Sequence, residues 1–222
     1  MTRNLTRLAL TLALACSLPA FAAEDISKVN GSIETTAGQS YGDLETVNGA
    51  VRIAENVQAG DASTVNGSIN LGEGARVASL ETVNGSIRAG RNVQVSGGIE
   101  TVNGSVFVDQ GSRIGGGIET VNGAIGLVHT EVAQSLETVN GDITVGVGSH
   151  VRGGITVERN HGWFQGSSSR RKPRVVIGPD AIVDGPLEFR REVALYVHKS
   201  ARIGQVTGAE PVRFETETAP QD

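Results

Sequence analysis

The sequence predicts an all-β fold, a single-stranded parallel β-solenoid with a triangular cross-section. Three observations predict it: a repeated Val-Asn-Gly motif, alternating apolar and polar residues within short segments, and abundant glycine, at 30 of 222 residues. A short, regular repeat indicates one structural unit stacked many times. Aromatic residues make up only 4% of the chain, which argues against a conventional globular core.

The Val-Asn-Gly motif recurs seven times at almost constant spacing. Successive asparagines are 18, 18, 18, 19, 19 and 18 residues apart. These asparagines are Asn30, Asn48, Asn66, Asn84, Asn103, Asn122 and Asn140. Because stacked repeats place identical residues next to one another, we expect the amides to form a buried hydrogen-bonded ladder.

One repeat, residues 80–98, shows how a single turn is built. It contains three segments with an apolar–polar alternation typical of strands, which are Leu80-Glu81-Thr82, Ile87-Arg88-Ala89 and Val93-Gln94-Val95. The corners between them contain Gly and Asn, which tolerate a positive φ. Three strands and three corners in about 18 residues form one triangular turn, with the next turn stacked about 4.8 Å away in parallel pairing. The pattern leaves open whether Val83, at the start of a corner, packs inward or outward.

An antiparallel meander is the competing architecture, because Asn-Gly is a strong hairpin signal. Each repeat has only one Asn-Gly, however, and its other two corners vary in composition. A solenoid also explains why the same residue returns at the same place in every repeat. The residues therefore favour the solenoid and leave its handedness open.

The N-terminus, residues 1–22, is typical of a secretory signal. Arg3 and Arg7 precede an apolar run, and Ala20-Phe21-Ala22 fits the rule for cleavage after Ala22. The apolar run is too short to span a bilayer. Cys16 leaves lipidation open, although the residues before it fit the lipoprotein pattern poorly.

Cleavage would remove the only cysteine, and with it any disulfide or thiolate metal site. It would leave 17 basic and 24 acidic residues, a formal charge of −7, which argues against general nucleic-acid binding.

Four segments follow the signal. Residues 23–158 carry the Val-Asn-Gly solenoid, residues 159–174 a basic aromatic insertion, residues 175–208 hexapeptide-like coils, and residues 209–222 a polar, loose tail. One coil is irregular: Glu131 is expected where Val57 and Val93 stand in other coils.

Two patterns resemble known bacterial groups. They are the repeated Glu-Thr-Val-Asn-Gly-Ser-Ile and the later Val-Ile-Gly-Pro-Asp-Ala-Ile-Val-Asp-Gly, which together cover roughly residues 26–207. The chain resembles the bactofilins, polymer-forming β-helical cytoskeletal proteins, and an adhesin-like group of exported β-helical proteins. The resemblance implies a right-handed helix and a non-enzymatic role. The export signal and the basic insertion depart from bactofilins and put a cytoskeletal role in doubt.

A column of carboxylates shares one outward position of the repeat. It comprises Glu45, Glu81, Glu100, Glu119 and Glu137, with Ser63 interrupting. Like charges at strand spacing repel one another. The column is either a solvated face or a site for divalent cations or a basic partner. It lacks the Gly-Gly-x-Gly-x-Asp repeats of calcium-binding rolls, which argues against the cation.

The insertion combines aromatic and basic residues on an acidic chain. Its candidate partner-binding residues are Trp163, Phe164, Arg170, Arg171, Lys172 and Arg174. Such a cluster suits an anionic envelope component or an acidic protein. It also suits the carboxylate column of a second copy, which would give self-association. The alternative is a tolerated surface loop.

The histidines, His129, His150, His161 and His198, have no metal-ligand spacing. His198 invites comparison with hexapeptide acyltransferases, but we expect it to lie outward without an acyl-carrier pocket. We identify no catalytic residue, cofactor site or metal site.

The sequence therefore predicts an exported, non-enzymatic solenoid with a structural, adhesive or scaffold role in the periplasm or at the cell surface of a bacterium. It would have no nucleic-acid partner and no transmembrane segment in the mature chain. The alternative is a β-helical enzyme acting on glycan or acyl substrates, which a lateral cleft lined by Glu and Arg would favour.

Overall fold

The described part of the chain is a β-solenoid of about nine turns with about 19 residues in each turn. A computed structural model describes residues 23–159 and 172–220. The predicted signal and most of the insertion lie outside these residues. Every pairing between strands is parallel, so the predicted solenoid is confirmed and the antiparallel meander is wrong.

Three sheets form the three sides of the solenoid. Sheet 1 contains ten strands: Glu24–Asn30, Tyr41–Asn48, Ala62–Asn66, Leu80–Asn84, Ile99–Asn103, Ile118–Asn122, Leu136–Thr138, Ile155–Val157, Leu187–Phe189 and Val206–Thr207. Sheet 2 contains ten: Ile33–Glu34, Val51–Ile53, Ile69–Leu71, Ile87–Ala89, Val106–Val108, Ile125–Leu127, Ile143–Val145, Arg174–Ile177, Ala194–His198 and Pro211–Phe214. Sheet 3 contains seven: Arg76–Val77, Gln94–Val95, Arg113–Ile114, Glu131–Val132, His150–Val151, Ile182–Val183 and Arg202–Ile203.

The core is a continuous aliphatic column inside the three sheets. Successive side chains along each strand point alternately into the core and out to solvent. Leu80 is buried, Glu81 is exposed and Thr82 is buried. Burying each Leu, Ile or Val side chain contributes about 1.5–3 kcal/mol relative to exposure. The buried Thr82 hydroxyl donates to the Gly67 carbonyl of the preceding coil at 3.0 Å, so its polar atom is satisfied within the core.

The Val-Asn-Gly corner differs from the expectation in two ways. The sheet 1 strand continues through Asn84, so the corner begins at Gly85. Glycine is required there by close stacking, since a Cβ on Gly85 would lie 1.8 Å from the carbonyl oxygen of Gly67. Among the Val-Asn-Gly glycines, Gly31 of the first coil has a positive φ (+106°), and in later coils positive φ values occur at the next corner, as at Gly74 (+69°) and Asn92 (56°).

The corner between sheets 3 and 1 accounts for the change from 18 to 19 residues per repeat. Two residues separate Val77 from Leu80, whereas three separate Val95 from Ile99. Ile99 still pairs with Leu80, so the register of sheet 1 is unaffected. The change from 18 to 19 residues per repeat is therefore a corner insertion.

Two details of the predicted organisation are wrong. Thr130, which is 2% exposed, occupies the inward position of Val57 and Val93, while Glu131 points outward and is in register with Arg113. The coil is therefore regular, because a small buried hydroxyl replaces valine.

The tail is also more ordered than expected. Pro211–Phe214 is a sheet 2 strand paired with Ala194–His198, and Phe214 is buried. At the other end of this region, Arg174 already belongs to a strand, so the chain rejoins the solenoid one residue earlier than predicted.

Candidate binding face

Sheet 1 presents three parallel rows of outward residues. The carboxylate row consists of Glu45, Glu81, Glu100, Glu119 and Glu137. The valine row consists of Val29, Val47, Val65, Val83, Val102, Val121 and Val139. The asparagine ladder consists of Asn30, Asn48, Asn66, Asn84, Asn103, Asn122 and Asn140.

The strand alternation explains why the first two rows share one face. Leu80 and Thr82 point into the core, so Glu81 and Val83 point out. Parallel pairing without slippage repeats this arrangement, since Glu81 pairs with Glu100 and Glu100 with Glu119. A shallow groove runs between the two rows over four coils.

The valine row is an exposed apolar stripe, which settles the orientation that the sequence left open. Val83, Val102 and Val121 are 36%, 40% and 39% exposed. Single exposed apolar residues are normal, but a continuous row of them is a feature of interaction surfaces.

The asparagine amides are hydrogen-bonded along the solenoid axis. The Nδ2 of each asparagine donates to the Oδ1 of the asparagine one coil earlier, over 2.9–3.1 Å. All seven residues are exposed, so the expectation of a buried ladder is wrong. The amides lie at the outer edge of the turn, where the chain leaves sheet 1.

Arg191 closes the C-terminal end of the ladder, and sequence reasoning missed it. Its guanidinium donates to the Oδ1 of Asn140 over 2.7 Å and to the carbonyl of Val139 over 3.1 Å. The adjacent basic pair Arg190-Arg191 was the available signal, but nothing in the sequence places it beside a residue 51 positions earlier.

The carboxylate row differs from other acidic residues in having no ion pair among residues 23–159 and 172–220. On sheet 2, Glu34 pairs with Arg52 over 2.8 Å. Beyond the last Val-Asn-Gly coil, Glu158 pairs with Arg190 over 2.6 Å. None of the five row members forms an ion pair within that described part of the chain.

Negative charge is crowded around Glu137 at the end of this row. Burial raises the pKa of Glu137, and the neighbouring carboxylates Glu119 and Glu158 raise it further, while Arg190 opposes them. The row is therefore a face on which negative charge is stacked and incompletely compensated.

Sheet 3 carries a shallow depression of about 370 Å³ lined by Arg113, Glu131 and Arg152. A hydrogen bond from Arg152 lowers the pKa of Glu131; burial opposes this shift, and Arg113 reinforces it. The carboxylate is therefore held ionised by two guanidinium groups, which suits an ion-pair network better than general acid catalysis.

Only part of the predicted insertion site can be placed. Trp163, Phe164, Arg170 and Arg171 lie outside the described residues. Lys172 pairs with Glu192 over 3.0 Å at the surface.

Arg174 lies on sheet 2 rather than in a loop. Its guanidinium stacks 4.8 Å from the ring centre of Tyr196 and donates to the carbonyl of Pro220. Lys172 and Arg174 thus each already bind a neighbouring group within the chain.

The expectation that His198 lies outward is wrong. It is 7% exposed, its Nδ1 lies 2.8 Å from the Ser200 hydroxyl, and its ring packs edge-on against Phe214 at 5.1 Å. This is the environment of a packed core histidine. Within the described ranges, no three His, Cys, Asp or Glu side chains are grouped to hold a metal ion.

Comparison with protein-family models, with curated proteins and with solved structures found no match. The parts of the chain that the structure describes contain no helix long and apolar enough to cross a membrane.

Proposed function

We propose that this chain is an exported, non-enzymatic binding scaffold of the bacterial envelope, and that it binds its partner through sheet 1. The observation that carries the proposal is the combination of the incompletely compensated carboxylate row with the exposed valine row. Export is supported by the signal-like residues 1–22, and an adhesive or structural role by the resemblance of the repeats to bacterial β-helical proteins.

Both rows cost stability in the free protein. Like charges directly opposite on neighbouring strands are destabilising, by roughly 0.2–1 kcal/mol for each pair. Exposed valine methyl groups forgo the gain of burial, which is about 25 cal/mol for each Å² of apolar surface. A partner with cationic and apolar groups would remove both penalties at once.

The chemistry of the face therefore specifies a cationic, amphipathic partner. Its positive groups would lie over the carboxylate row and its apolar groups over the valine row. The regular strand spacing favours an extended partner that contacts several coils, since each coil offers the same pair of groups.

The test is a retention assay with envelope extract and two matched triple variants. Glu81→Gln, Glu100→Gln and Glu119→Gln together remove three charges from the row. Glu55→Gln, Glu210→Gln and Glu217→Gln remove three charges from exposed positions outside sheet 1.

We expect the row variant to lose retention at low salt and the control variant to keep it, because only the first changes the face. A third triple variant, Val83→Thr, Val102→Thr and Val121→Thr, keeps the β-branched shape while adding polar groups, and we expect it to weaken retention as well. Equal retention of all three variants and the parent would overturn the proposal.

A further inference from the structure

The seven Asn-Gly pairs are chemically alike but differ in the hydrogen bonding of the glycine nitrogen. In an Asn-Gly pair this nitrogen can attack the carbonyl carbon of the asparagine side chain, because glycine has no side chain to obstruct the approach. Five glycine N–H groups donate to the main-chain carbonyl of the asparagine in the next coil. They are Gly31 at 2.8 Å and Gly49, Gly67, Gly85 and Gly104 at 3.1 Å.

In the last two Asn-Gly pairs the glycine N–H lacks this hydrogen bond within the described part of the chain, so the attacking nitrogen is not protected by it. Among the described residues, neither the N–H of Gly123 nor that of Gly141 has a hydrogen-bond acceptor. The preceding bond of the same ladder is kept, since the main-chain N–H of Asn140 donates to the carbonyl of Val121 over 2.8 Å. The main-chain pairing at this corner therefore ends one hydrogen bond earlier than in the preceding coils.

The neighbouring threonines show the same local break. Thr120 donates from its hydroxyl to the Gly104 carbonyl over 3.1 Å, as the threonines of the earlier Val-Asn-Gly coils do to theirs. The hydroxyl of Thr138 is buried and has no hydrogen-bond partner among residues 23–159 and 172–220. A buried unsatisfied hydroxyl marks strain in the network, and it lies two residues before Asn140.

Arg191 also activates the side chain of Asn140 toward attack by the Gly141 nitrogen. Its guanidinium lies 2.7 Å from the Oδ1 of Asn140, the oxygen on which negative charge would develop during attack at Cγ. A fixed cationic donor at that position stabilises the charge, as donors to a developing oxyanion do in enzymes. Within the described part of the chain, the Oδ1 atoms of Asn30, Asn48, Asn66, Asn84, Asn103 and Asn122 accept only from the amide of the next asparagine in the ladder.

We propose that Asn140 is a site of self-promoted deamidation. The nitrogen of Gly141 loses its proton to solvent base and forms a bond to Cγ of Asn140. The bond from Cγ to Nδ2 breaks, and the amide nitrogen leaves as ammonia. Water then opens the resulting cyclic imide at either carbonyl and yields aspartate or isoaspartate. Apart from the solvent base and water, the reaction needs no co-reactant.

The product changes the end of the asparagine ladder. The lost Nδ2 is the group that donates to the Oδ1 of Asn122 over 3.0 Å, and the new carboxylate lies beside the Arg191 guanidinium. The aspartate product therefore exchanges a hydrogen bond along the ladder for an ion pair across the corner. The isoaspartate product also lengthens the main chain by one atom.

The experiment incubates the full folded chain at mildly alkaline pH and follows all seven pairs by peptide mapping and mass spectrometry. The pairs serve as controls for one another because each has valine before the asparagine. We expect Asn140 to react first, Asn122 second, and the five protected pairs at least roughly tenfold more slowly, since each must open its hydrogen bond first. Equal rates, or a faster rate at any protected pair, would overturn the proposal.

Two further arms isolate the causes. In urea-unfolded chain all seven pairs should react at similar rates, because the fold and not the local sequence sets the order. Arg191→Gln should lower the deamidation rate at Asn140 by roughly tenfold. This is less than the loss of about a hundredfold or more in rate when a buried oxyanion donor is removed from an enzyme. The rate at Asn122 in the same sample is the internal reference. An unchanged or increased rate at Asn140 in this variant would refute the role of Arg191.

Gly141→Ala is unsuitable as a test. A Cβ there would lie 1.7 Å from the carbonyl oxygen of Gly123, so the substitution would distort the stack itself.

Discussion

Replacing Asn103 by alanine tests the asparagine ladder where it is complete on both sides. Asn103 donates to Asn84 over 2.9 Å and accepts from Asn122 over 2.9 Å, so the substitution removes two hydrogen bonds. Each is worth about 0.5–1.5 kcal/mol net. The freed atoms are exposed and regain water, which places the loss near the lower end, at about 1–2 kcal/mol in total.

The matched control is Asn30→Ala at the first rung, which removes only the bond donated by Asn48. For a chain of this size, 1 kcal/mol shifts Tm by about 2–4 °C. We therefore expect Asn103→Ala to lower Tm by about 2–8 °C and Asn30→Ala by about half as much. Thermal melting followed by circular dichroism and urea titration both measure the difference. If Asn103→Ala melts at the temperature of the parent, or no lower than Asn30→Ala, the ladder contributes nothing to stability.

Three further predictions concern charge. The double variant Glu100→Gln, Glu119→Gln should raise Tm at low salt, because it removes stacked like charges. The gain in Tm should shrink in high salt, and a gain independent of salt would contradict this prediction. Glu137 has a raised pKa, so its ionisation costs stability as the pH rises above the ordinary value of 4.5. Glu137→Gln should therefore be more stable than the parent at neutral pH and equal to it in acid, and a constant difference across the pH titration would refute the assignment. Deleting residues 162–172 should leave Tm nearly unchanged and lower retention on anionic lipid or glycolipid, whereas undiminished retention at low salt would show that the insertion is a spacer.

The fold could be predicted because the sequence repeats with a regular period. Identical residues recur at 18 or 19 positions, and stacked coils are the arrangement that places them together. The carboxylate row followed from the same logic, since Glu81 lies between two inward residues. The strand ends were harder to predict. Val83 and Asn84 occupy positions where alternation gives way to the turn, so the pattern did not show that both are exposed.

The errors have physical causes that a one-dimensional pattern does not contain. Thr130 fills an apolar position because its hydroxyl bonds to nearby main-chain carbonyls, such as that of Val128 over 2.9 Å. His198 is buried by Phe214, which belongs to a strand that looked like part of a polar tail. Arg191 reaches Asn140 only because the intervening coils bring the two corners together.

The corner between sheets 3 and 1 tolerates an extra residue, so the spacing between coils stays constant along the solenoid. An extra residue there, as between Val95 and Ile99, leaves the strands in phase, and a whole extra coil would add one strand spacing of about 4.8 Å to the length. Every added coil would bring one more glutamate, valine and asparagine to the same face at the same angle. Duplication or loss of a repeat can therefore change the number of contacts offered to a partner in whole steps, without any redesign of the contact itself.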